Sequence, residues 1–220
     1  MNRNLLIILL LLMATSAGAQ KPQLSLMFDV GPWIGYVHNP DPYATNNPWP
    51  QAQAGVGLGA AYKIAEKVYF SPEIGLEYYG FKTEYSSAKD NRDVTSNLAL
   101  FYARLSPGIT LRPASFFSIR AGVSIMGSIL ALGEYEVSTY YVTSGSRKIV
   151  RFTNDFSRIR NAFVVGPELS LGFHLPEESG LSFRLSGMLG INGIFKSDFD
   201  TPYNPRIARV GLGVGYVIPE

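Results

Sequence analysis

From residue 68 to residue 79 the chain reads V-Y-F-S-P-E-I-G-L-E-Y-Y, placing Val68, Phe70, Pro72, Ile74, Leu76 and Tyr78 on alternate positions. Tyr69, Ser71, Glu73, Gly75, Glu77 and Tyr79 fill the positions between them. Successive side chains of a strand point to opposite sides, so this pattern predicts one apolar face and one face carrying two carboxylates. Seven other stretches alternate in the same way. Together they predict eight strands, at residues 23–37, 53–64, 67–81, 98–111, 116–133, 162–175, 181–195 and 206–218.

The connections alternate too. Residues 38–52, 82–97, 134–161 and 196–205 are long and polar, whereas 65–66, 112–115 and 176–180 are short. Short periplasmic turns and longer outer loops are the rhythm of an outer-membrane barrel. The prediction is all-β: an eight-stranded antiparallel up-and-down transmembrane β-barrel with short periplasmic turns and long extracellular loops.

The content of the two faces separates this from a soluble barrel. Phe28, Val56, Leu58, Leu105, Val123, Leu169, Leu185 and Leu212 belong to faces with no charge in mid-strand. The opposite faces carry glycine, serine and a few ionisable groups, as a narrow eight-strand interior requires. A soluble barrel would show lysine and glutamate to water. The bulky, uncharged faces therefore point to lipid. Aromatic residues sort to both ends of these faces, with Tyr62, Phe70, Phe117, Phe173, Phe183 and Tyr216 at the short turns. Tyr36, Tyr78, Phe101, Phe163 and Phe195 stand at the long loops, as two interfacial girdles.

The inward positions collect Asp29, Glu73, Glu77 and Glu168 with Arg104, Arg120, Arg184 and Arg209. Eight buried charges are prohibitive unless they pair, and the signs balance. Arginine suits the task because its planar fork bridges two carboxylates and stays charged. Glu73 or Glu77 with Arg104, and Glu168 with Arg184, are the expected partners. The expected result is a packed polar plug, with a gated narrow channel as the alternative. Prolines recur in these strands, as S-P-E-I-G-L, S-P-G-I-T-L and G-P-E-L-S-L, and predict local bulges or bends because proline donates no ladder hydrogen bond.

Composition supplies the address. Residues 1–19 read as a secretory signal peptide: Arg3, an apolar run from Leu5 to Met13, and an A-x-A site at Ala17-Gly18-Ala19. Residues 20–220 are then the barrel domain. With no cysteine, disulfides, thiolate metal sites and a cysteine nucleophile are excluded. The net charge of +2, dispersed along the chain, makes no case for nucleic acid.

The element P-E-I-G-L-E-Y-Y at residues 72–79, followed by a polar loop, resembles a feature of small outer-membrane β-barrels of Bacteroidetes-type bacteria, the PorT-like outer membrane protein β-barrel domain. The resemblance extends over residues 20–220, and the architecture is more distantly similar to OmpA/OmpX-type eight-strand barrels. It implies the outer membrane of a Gram-negative bacterium and insertion by the barrel assembly machinery. For one branch it implies a part in protein secretion. One departure is the C-terminus, G-Y-V-I-P-E, where such barrels commonly end on an aromatic residue.

Chemistry is sparse. Small barrels that modify lipid A use histidine, serine and acidic groups near the outer rim, and only His38, near Asp41, stands at that end. His174 faces inward near a short turn and is expected to be a satisfied interior residue. No catalytic set, cofactor site or metal site is predicted. The longest loop carries Arg147, Lys148, Arg151, Arg158 and Arg160, a candidate contact surface for lipopolysaccharide or an envelope protein partner. The predicted role is structural or interaction-based, with a narrow transport channel and a lipid A-modifying enzyme as alternatives.

Overall fold

Among the described residues, twelve strands form one antiparallel sheet in the computed structural model of the chain. They are β1 (Gln23–Tyr36), β2 (Ala44–Asn46), β3 (Gln51–Ala65), β4 (Val68–Phe70), β5 (Glu73–Ser87), β6 (Arg92–Ser106), β7 (Gly108–Ala114), β8 (Phe117–Tyr141), β9 (Ser146–Thr153), β10 (Phe163–His174), β11 (Leu181–Gly193) and β12 (Arg206–Val217). The structure describes residues 22–36, 44–46, 51–87, 91–141, 143–153, 161–176, 179–194 and 206–218. The predicted signal peptide, His38, Asp41, Arg158 and Arg160 lie outside the described residues.

Following hydrogen-bonded neighbours, β1 pairs with β3, β3 with β5, β5 with β6 and β6 with β8. Then β8 pairs with β10, β10 with β11, β11 with β12, and β12 with β1. The circuit returns to its start, so it has an inside and an outside. Twelve strands replace the eight expected, for two reasons. Ser71-Pro72 separates β4 from β5 and Pro107 separates β6 from β7, while β2 and β9 lie within stretches expected to be loops.

The prolines leave the register intact. Tyr62 faces Phe70 and Gly59 faces Glu73, so β4 and β5 follow β3 without a shift across Pro72. Phe70↔Ile109 and Glu73↔Ser106 likewise place Pro72 opposite Pro107. Each keeps the bond in which its carbonyl accepts, from Ala60 N to Pro72 O and from Val123 N to Pro107 O, both at 3.1 Å. Only the reciprocal bond, which an imino acid cannot donate, is lost. The bulges expected at Pro72 and Pro107 are therefore absent, because one missing donor thins the ladder without inserting a residue.

A real bulge lies elsewhere. Phe101 pairs with Leu130 but Tyr102 pairs with Ser128, leaving Ile129 as the extra residue. Beyond it the parity of β8 reverses, so Leu130 and Leu132 turn outward and Ala131 inward. Gly133 follows at φ 120°, where a Cβ would lie on the Asn97 carbonyl oxygen. Gly133→Ala is expected to destabilise the folded chain by about 1–3 kcal/mol, read from urea unfolding in detergent, because it adds a Cβ where only glycine fits.

The faces are inverted relative to a soluble protein. Leu212 (65 % exposed), Val30 (60 %) and Leu76 (56 %) point outward, while all four expected acids and Arg104, Arg120 and Arg209 are buried within the circuit. Aromatic pairs stand at both ends of the outward face. Tyr62 packs on Phe70 at 6.4 Å and Phe117 on Phe173 at 5.3 Å near the short turns, and Tyr78 meets Phe101 at 5.4 Å near the other end.

Residues 82–97 and 134–161, expected as loops, are largely strand. β5 pairs with β6 out to Ser87↔Arg92, β6 with β8 out to Arg92↔Thr139, and β8 with β9 out to Tyr141↔Ser146. β8 runs for 25 residues, whereas crossing a bilayer takes about 9–11 in a tilted strand. The surplus builds an arm of β2, β5, β6, β8 and β9 beyond the aromatic end. Sequence hides the period-two pattern there because polar residues such as Ser96 and Ser138 occupy the buried face, opposite exposed Asp93, Thr95 and Asn97.

Candidate functional site

Inside the circuit, Asp29, Glu73, Glu77 and Glu168 meet Arg104, Arg120, Arg184 and Arg209 in one continuous network. Glu73 is the hub. Its carboxylate lies 3.2 Å from Arg104, 3.3 Å from Arg120 and 2.7 Å from Arg184. Arg104 forks further to Glu77 at 3.0 Å and Glu168 at 3.3 Å, and Arg120 approaches Glu168 at 3.6 Å. Arg209 joins Glu77 at 3.1 Å and Glu168 at 3.7 Å. Arg184 extends the network to Asp29 at 2.5 Å.

Neighbouring strands explain how the charges meet. β3, β5 and β6 run side by side, and Arg104 faces Gly75, between Glu73 and Glu77 on β5. Arg184 and Asp29 both face Gly213, which lies between them on β12 and offers no side chain to keep them apart. Gly108 does the same for Arg120, since a Cβ there would lie 2.8 Å from the guanidinium carbon. The Arg120 guanidinium also donates to the backbone carbonyls of Ser71 and Ser106 and to the Ser106 hydroxyl.

One expected pair does not form. Glu168 is held by Arg104, Arg120 and Arg209, whereas Arg184 is held by Asp29 and Glu73. The register explains the correction. Glu168 faces Met188 on β11, and Arg184 lies four residues away, facing Gly172.

A second layer, unforeseen from sequence, seals the lumen on the arm side. Tyr79, Tyr102, Met126, Val164, Met188, Ile194 and Ile207 are each no more than 4 % exposed and belong to one apolar cluster. Tyr79 connects the layers, packing edge-on to Tyr102 at 5.7 Å and donating its hydroxyl to Glu77 at 2.5 Å. These are inward positions of the strand pattern, where a count of charges overlooks large apolar side chains. The expected polar plug is thus half of the filling.

On the other side the network floors a cavity of about 100 Å³ at the short-turn end. Ser25, Thr110, Arg112, Ser118, Ser170, His174 and Ser182 line its wall. His174 Nε2 lies 2.9 Å from the Ser118 hydroxyl.

In the arm, Arg147, Lys148 and Arg151 lie on β9, not in an irregular loop. Arg151 is bound to Glu136 at 2.6 Å, and this hydrogen bond raises its pKa above the ordinary guanidinium value. Arg147 donates to the Ser138 hydroxyl. Tyr140, Tyr141, Ile149 and Val150 are exposed beside them. Among the described residues β9 pairs with β8 alone, which leaves its outer edge open.

No family model matches the chain, and no curated protein does. Among solved structures, Neisserial surface protein A is similar at 9 % identity and a TM-score of 0.50, over 90 % of this chain and all of that one. The likeness is one of fold alone. Ail, the attachment invasion locus protein of Yersinia pestis, matches over 90 % of this chain and all of that one, at 10 % identity and a TM-score of 0.49. The outer membrane protein OprG of Pseudomonas aeruginosa matches over 89 % of this chain and 97 % of that one, at 11 % identity and a TM-score of 0.40.

Proposed function

We propose that the chain is an eight-stranded up-and-down transmembrane β-barrel of the Gram-negative outer membrane, closed to conduction, with a structural or interaction role carried by its outer arm. Eight strands complete the circuit of pairings, with β4 and β7 as continuations of β5 and β6. The apolar outer face and its aromatic ends suit a bilayer. Barrel assembly machinery and lipopolysaccharide are the partners this reading brings. The kinship with PorT-like barrels, and with it a place in an envelope or secretion assembly, rests on residues 72–79.

The filled lumen carries the reading. An ionic layer and an apolar layer lie in series, and an ion crossing them would displace paired charges and then enter a dry constriction. In planar bilayers the refolded protein is expected to give no reproducible conductance steps. Discrete steps that grow when Tyr79 is replaced by alanine would establish the channel alternative instead. An unchanged lipid A mass on deletion of the gene is the matching expectation for a non-catalytic barrel.

The arm supplies the contact surface. Its tip combines Tyr140, Tyr141, Ile149 and Val150 with Arg147, Lys148 and Arg151, a mixture of apolar anchors and cations suited to an anionic partner. Arg158 and Arg160 follow in sequence.

A further inference from the structure

The cavity at the short-turn end is more than leftover space. We propose that it is a binding site for a small oxyanion, a phosphate or a carboxylate, entering from the side opposite the arm. Its volume of about 100 Å³ would hold several waters at roughly 10–15 Å³ each, or one such anion.

The cavity wall carries unmet hydrogen-bonding capacity. Among the residues lining the cavity, Arg112 Nε and Arg184 Nε are buried without a hydrogen-bond acceptor, whereas Arg120 Nη1 is taken up by Glu168 at 3.6 Å. Asp29 Oδ1 is the one lining carboxylate oxygen buried without a donor, and the Ser71 hydroxyl is also unpartnered. Arg120 is 5 % exposed, Asp29 3 % and Ser71 8 %, so these groups are held in place by their surroundings. Two free guanidinium N–H groups, with the Ser71 hydroxyl able to donate as well, against one free carboxylate oxygen make the cavity rich in donors. A buried donor without an acceptor costs more than an exposed one, and an oxyanion supplies several acceptors at once.

Charge points the same way. The eight-residue network is neutral, four acids against four arginines, whereas Arg112 lines the cavity outside that network and leaves a positive charge over. Its guanidinium is steadied by the Tyr69 ring, 4.5 Å away. Ser25, Thr110, Ser118, Ser170 and Ser182 add hydroxyls around the wall.

Under the orientation proposed above the mouth faces the periplasm, but binding in detergent does not depend on that orientation. The full chain, folded in a non-ionic detergent, would be titrated calorimetrically with sodium phosphate and, separately, with sodium acetate. Sodium chloride holds the ionic strength constant. Saturable binding of either salt is expected, and the two arms tell a phosphoryl from a carboxylate ligand. Arg112→Gln should weaken it at least about tenfold, as loss of a charge-assisted hydrogen bond does. Lys82→Gln, exposed on β5 away from the cavity, should leave it unchanged. Each variant is checked for folding by the mobility difference between unheated and boiled samples. That difference, if missing from the parent protein, would count against the barrel reading and not against the site. No saturable heat from a folded protein with either salt would overturn the site, as would equal binding by folded Arg112→Gln.

Discussion

Glu73→Ala is expected to lower the unfolding free energy by about 3–5 kcal/mol, the range for removing one partner from a buried ionic network. Glu73 neutralises parts of three guanidinium groups, on Arg104, Arg120 and Arg184. Without it Asp29 is the one carboxylate left to Arg184, and Glu168, at 3.6 Å, the one left to Arg120. All three arginines remain charged, since a guanidinium does not shed its proton to relieve the cost. Replacing Glu73 and Arg184 together should therefore cost less than the two single effects added, because the stranded charge leaves with its partner. Urea unfolding in detergent, followed by tryptophan fluorescence, measures all three variants. An unfolding free energy unchanged by Glu73→Ala would mean that the network does not hold the circuit closed.

Ile74→Arg should cost about 2–4 kcal/mol, and the size should depend on depth. Ile74 is 55 % exposed on the outward face, between the aromatic positions Phe70 and Tyr78. An arginine there has no water to reach if the surroundings are hydrocarbon. Leu24 is similarly exposed, at 47 %, but stands beside the short turns. Its replacement by arginine should cost about 0–1 kcal/mol, because the side chain can extend to the interface. Folding into lipid vesicles gives both values. Equal costs at the two positions would show that the outward face does not meet a bilayer.

The pattern of residues 68–79 already told which side of each strand is apolar, because alternation is a local property of the extended chain. Glu73, Glu77, Arg104 and their companions were legible as one inward-facing set for the same reason. Partner choice was not. Glu168 and Arg184 were expected together, yet each reaches other residues, because register and stagger around the circuit determine which side chains share a level. The apolar layer was hidden among inward positions read mainly for charge. Tyr79, Met126 and Met188 become a seal only when strands distant in sequence surround a common interior.

The prolines show the same division. Sequence alone says that Pro72 and Pro107 cannot donate. That each leaves its register intact, and that a bulge falls at Ile129 instead, follows from cross-strand pairing. The arm reads as loop in the sequence because polar residues such as Ser96 and Ser138 take buried positions in it, which removes the contrast on which alternation depends.

By itself, then, the sequence determined where the strands of the circuit lie, though not those of the arm, together with the lipid-suited face and a balanced set of inward charges, all consequences of a two-residue repeat and of charge counting. Only the tertiary structure decided the closed circuit, the hub position of Glu73, the apolar seal and the donor-rich cavity. Those depend on how strands far apart in the chain align, and alignment is set by contacts that no single strand contains.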